Sequence, residues 1–104
     1  MAGLIKVHDA VILLRHHAPP PYSNISVRLS KCMDEYTYGE CVVDVAKETI
    51  RIKINSTVPP IAQLDALMHE WAHALLSTLP DEFEKHNALW GICYARCYSV
   101  VFET

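Results

Sequence analysis

Between residues 25 and 55, apolar and polar side chains alternate with a period of two. Ile25, Val27 and Leu29 alternate with Ser26, Arg28 and Ser30; Cys41, Val43 and Val45 with Val42 and Asp44; Ile50, Ile52 and Ile54 with Arg51, Lys53 and Asn55. That period sends successive side chains to opposite faces of a strand, so the pattern predicts three strands, the third the clearest. Ala46-Lys47-Glu48 is short enough to join the second and third as an antiparallel hairpin, and the expected sheet is mainly antiparallel. Asp34 to Tyr38 reads as a loop.

Beyond residue 60 the period changes to that of a helix. Ile61, Leu64, Met68, Ala72 and Leu75 recur at helical spacing behind Pro59-Pro60, with Ser56 or Thr57 as the expected hydroxyl cap and an end near Ser77. Leu79-Pro80-Asp81 breaks the pattern. Asp81-Glu82 are expected to open a second helix, acidic where the dipole favours it, with Phe83, His86, Trp90, Cys93, Cys97 and Val101 on its inward stripe. Gly91 is a weak point inside it. Leu4 to Arg15 reads as a short helix closed by Pro19-Pro20-Pro21. The order is an N-terminal helix, three strands and a two-helix hairpin: an α+β fold in a single domain over residues 1–104.

Composition narrows the classes of function. Hydrophobic residues make up 51% of the 104, enough to bury a core without staples. The net charge is −3, and no Lys/Arg cluster is visible, so no strong independent nucleic-acid binding is expected. The first residues lack the pattern of a signal peptide, and no apolar run approaches the roughly 18 residues of a membrane span. The expectation is a cytoplasmic chain without membrane contact. Cys32, Cys41, Cys93 and Cys97 include no Cys-x-x-Cys pair and are expected as free thiols.

The chemistry sits on the best-defined helix. His69-Glu70-Trp71-Ala72-His73 is a His-Glu-x-x-His motif. Residues i and i+4 share a helix face, so two imidazoles can bind one Zn²⁺. Glu70 is rotated roughly 100° from His69. There its carboxylate reaches water activated by the metal, rather than the metal itself, and can act as a general base. A catalytic site needs a third protein ligand. His86, on the inward stripe of the next helix, is the best candidate. Glu82 reads as dipole compensation, and Glu84 points away from the His86 stripe. Cys93 and Cys97 read as core cysteines, and His8, His16 and His17 as solvated or structural. Tyr94 can donate to an oxyanion or serve as a half-buried core residue. The strand ending at Asn55 is expected near the cleft, where it can align a substrate backbone as an added strand.

His69-Glu70-x-x-His73 followed by His86-Asn87-Ala88-Leu89-Trp90 resembles the zincin metalloproteases of the SprT-like type. In that family an aromatic residue four positions after the third His packs behind the metal. The resemblance covers about Leu64 to Arg96 and the strand pair before it. It implies a zincin-like minimal domain, with His69, His73 and His86 as zinc ligands, Glu70 as general base, and a protein or peptide substrate. Asn87 stands where the family usually has Gly, and the zinc ribbon that follows in many members is not found before Thr104. The length suits a minimal, phage-type version. The ImmA/IrrE type is a related small group. The expected function is a zinc-dependent metallopeptidase. The alternatives are a zinc-stabilised binding module without turnover and a DNA-associated protein-processing factor.

Overall fold

The alternating isoleucines of the third strand build the floor of the core. In a computed structural model, which describes residues 4–103, the elements run α1 (Val7–His17), β1 (Asn24–Ser30), β2 (Gly39–Asp44), β3 (Thr49–Asn55), α2 (Pro60–Leu75) and α3 (Ala88–Glu103). Ile50, Ile52 and Ile54 are all buried, on the sheet face that α2 covers, with Arg51 exposed on the other. Leu64, Leu67, Met68 and Trp71 meet them from α2, and Cys97, Val100 and Val101 close the cluster from α3. The outer sheet face carries Arg28, Arg51 and Lys53, the last ion-paired to Glu40 at 3.4 Å.

The sheet is mixed, which corrects the expectation of a mainly antiparallel one. Its order is β1-β3-β2, with β2 antiparallel and β1 parallel to β3. The β2–β3 hairpin forms as the short connection requires, with Val45 in the turn rather than in the strand and Glu48 left-handed at φ 52°. β1 takes the remaining side of β3, because residues 31–38 carry the chain across to the far edge. Both sides of β3 are therefore paired, so the strand ending at Asn55 cannot accept another, and the free edge beside α2 belongs to β2.

Two further boundaries differ from expectation. No hydroxyl caps α2: its N-cap is Pro59, which makes no side-chain bond, and Thr57 bonds to Asn55 Oδ1 instead. Ile61 is exposed in the first turn. Asp81-Glu82 open no helix. Residues 76–84 form successive turns, and α3 starts only at Ala88. Phe83 and His86 thus lie on the connection. The N-terminal helix runs from Val7 to His17, and its last carbonyls are tied down by Trp71 Nε1 donating to Ala18 O (2.8 Å) and Arg96 donating to His17 O (2.9 Å). Among the described residues, no helix is long and apolar enough to cross a membrane.

Asn55 is fully buried and acts as a staple. Its Nδ2 donates to Thr37 O (3.0 Å) and Asp34 O (3.3 Å), while its Oδ1 accepts from Thr57 N (2.9 Å) and Oγ1 (2.6 Å). Asn55→Ala removes all four of these bonds to partly exposed partners, at a cost of about 2 kcal/mol. For a chain of this size, thermal denaturation should show a melting point lower by about 10 °C. A shift under about 2 °C would mean that water replaces the staple.

Candidate metal centre

The i, i+4 spacing puts His69 and His73 on the α2 face turned toward the connection and α3, with ring centroids 5.1 Å apart. Trp71, Ala72 and Ala74 are buried in the same turns and fix the helix in place. After Leu75 the chain folds back, and the Phe83 carbonyl comes 2.7 Å from His73 Nδ1. A carbonyl oxygen only accepts, so Nδ1 carries the hydrogen and the neutral ring presents a bare lone pair at Nε2. His86 Nε2 lies 3.0 Å from His73 Nε2 and 2.9 Å from His69 Nε2.

These three residues offer ligand atoms that all lie within 4.8 Å of one another, an arrangement that can hold a metal ion. Zn–N bonds of about 2.0–2.1 Å at tetrahedral angles separate nitrogens by roughly 3.3 Å, a few tenths more than the two short contacts here. Burial, and then the neighbouring imidazoles, lower the His69 pKa; burial also lowers that of His73. Both effects favour the neutral ring, the form that binds metals. Trp90 packs against the cluster, its ring 4.8 Å from His69, 5.9 Å from His73 and 5.0 Å from His86. His8, His16 and His17 are exposed on α1 and take no part.

His86 reaches the cluster from a loop, so something must fix that loop. Asn87 does so as the N-cap of α3: its Oδ1 accepts from Trp90 N (3.2 Å), three residues on, and its Nδ2 donates to Glu82. A glycine here could make neither bond. Glu82 is occupied by Asn87 and Lys85. Asn87→Ala should cost about 1 kcal/mol in chemical denaturation, and Asn87→Ser much less, because serine still caps. Equal losses for the two would show that the Glu82 bond, not the cap, holds the turn.

Glu70 is buried beside this cluster, its Oε2 4.0 Å from His69 Nε2. Burial first, and then Glu40, push its carboxyl up to about 7. The start of β2 makes room for it: a Cβ on Gly39 would stand 3.0 Å from Glu70 Cγ and 3.3 Å from Oε2. Two depressions flank the carboxylate. One, of about 390 Å³, is walled by Tyr36, Tyr38, Gly39 and Asp65; the other, of about 170 Å³, by Cys41, His73, Phe83 and Glu84. Glu84 thus faces the site from the connection, not away from it on a helix, though it is outside the group that can hold a metal ion. Tyr94 does not aim its hydroxyl freely at the centre, since it donates to Asp65 Oδ1. All four cysteines are free; Cys97 is buried, and burial raises the Cys41 and Cys97 thiols to about 12.

Sequence reasoning missed Asn87, Gly39, the Phe83 carbonyl and the Asp65–Tyr94 bond. Only the first left a signal, an Asn directly before a helical run. The others are meetings of residues distant in the chain. Compared with protein-family models, curated proteins and solved structures, the chain matches none.

Proposed function

We propose that this chain is a zinc-dependent metallopeptidase of the SprT-like zincin type. The observation that carries the proposal is the buried Glu70 carboxylate standing beside three convergent imidazoles, His69, His73 and His86. A purely structural metal site has no use for a carboxylate there, and three ligands leave a coordination position open, as catalytic zinc sites do. When bound, Zn²⁺ supplies Lewis acidity, polarising a scissile carbonyl and making water easier to deprotonate.

The chain's own residues supply the rest. Glu70 takes the proton of the attacking water and returns it to the leaving amine. Gly39 keeps the carboxylate in place by presenting no side chain against it. The free edge of β2, which starts at Gly39, can pair with an extended peptide, and the two depressions beside Glu70 would receive the side chains flanking the scissile bond. This replaces the strand ending at Asn55 as the substrate-aligning element.

The test is metal analysis of purified protein followed by digestion of a broad peptide library. One zinc per chain with metal-dependent cleavage is the expected result. Zinc uptake without any cleavage would put the non-catalytic binding module in its place.

A further inference from the structure

We propose that Asp65 and Tyr94 form a latch between α2 and α3 that positions Trp90, and through it the metal-binding imidazoles. The inference rests on the reading of His69, His73 and His86 as a metal centre. Two of these histidines are held by α2, but His86 stands on an exposed connection and needs an external reference. Trp90 provides one. Its ring packs against all three imidazoles, and its Nε1 donates to the His69 carbonyl at 3.4 Å.

What fixes Trp90 is the layer behind it. The Tyr94 ring stacks on Trp90 with centroids 5.3 Å apart and planes 26° from parallel. The Tyr94 hydroxyl donates to Asp65 Oδ1, across 29 residues of sequence. Asp65 lies one helical turn before His69, so the bond ties α3 to the α2 segment that bears the metal ligands. A hydrogen bond to a carboxylate is about twice as strong as a neutral one, and burial together with Asp65 keeps the tyrosine protonated as its donor. Neither residue belongs to the group able to hold the ion. They are positioning residues that act through Trp90.

The test uses the full chain, stripped of metal and titrated with Zn²⁺ against a competing chelator, then with Co²⁺ to read the ligand field. Tyr94→Phe keeps the stacked ring and deletes only the donor; Asp65→Leu deletes the acceptor. Each should lower Zn²⁺ affinity by about tenfold, the lower end of what is lost with a group bonded directly to a ligand, because Tyr94 and Asp65 act one layer further out, and should alter the Co²⁺ spectrum. Asp65→Asn still accepts from the hydroxyl and should stay within about threefold of the wild type.

A Tyr94→Phe protein with wild-type affinity and spectrum overturns the latch. So does an Asp65→Asn protein as weak as Asp65→Leu, which would show that the negative charge near the cation matters and the bond does not. In either case, loss of affinity in His86→Ala would leave the metal-centre reading standing. A wild type that takes up neither metal would end both.

Discussion

Glu70→Gln should bind zinc as the wild type does and lose peptide hydrolysis by about 10²–10⁴-fold, the usual contribution of a general base. Glutamine matches glutamate in size, so the pocket against Gly39 stays filled and α2 is undisturbed. The three imidazoles are untouched, and the carboxylate lies 4.0 Å from His69 Nε2. Only the proton acceptor is lost. Zinc content by elemental analysis and cleavage of a peptide identified in the library screen are the two measurements. Equal rates for the two proteins would place the activity elsewhere, in a contaminant or another site. Lost zinc would make Glu70 part of the metal's own coordination, and the assignment of its role would fall.

His86→Ala should weaken zinc binding by roughly a hundredfold to a thousandfold. The estimate takes an apparent zinc affinity on the order of 10 kcal/mol shared among the ligands, at about 1.4 kcal/mol per factor of ten. His69→Ala and His73→Ala should do at least as much, because their place on α2 is set by the core and no neighbour can move in. The comparison matters because His86 is, of the three imidazoles, the one whose backbone is least constrained: it is carried by a connection, not a helix. Competition titration with a chelator reads the affinities directly. Unchanged affinity in His86→Ala alongside loss in His69→Ala would remove His86 from the site. Glu84, which lines the depression on the His73 side, would then be the next residue to replace.

The local content of this fold was legible in the order of residues. A period of two over Ile50, Ile52 and Ile54, and a period near 3.6 over Leu64, Met68 and Ala72, need only the chain's own geometry, and the burial of these side chains follows from them. The pairing of His69 with His73 belongs to the same class, since one helical turn is enough to bring them together. The hairpin between β2 and β3 is likewise a matter of a short connection. Even His86 was within reach, because the break at Leu79-Pro80 lets the chain fold back over α2.

What periodicity cannot carry is the arrangement of elements that meet only in space. Local alternation is the same for a strand in either direction, so the parallel pairing of β1 with β3 was decided by the hairpin taking one side of β3 and the crossing of residues 31–38 leaving β1 the other. Acidic residues at 81 and 82 suit a helix start, yet helix formation is cooperative and needs a buried face. Asn87 caps a segment that has one, in Cys97, Val100 and Val101, so α3 begins at Ala88. Gly39 against Glu70, Phe83 against His73 and Tyr94 against Asp65 join separate elements. Their distances come from the core beneath them, and no spacing along the chain encodes them.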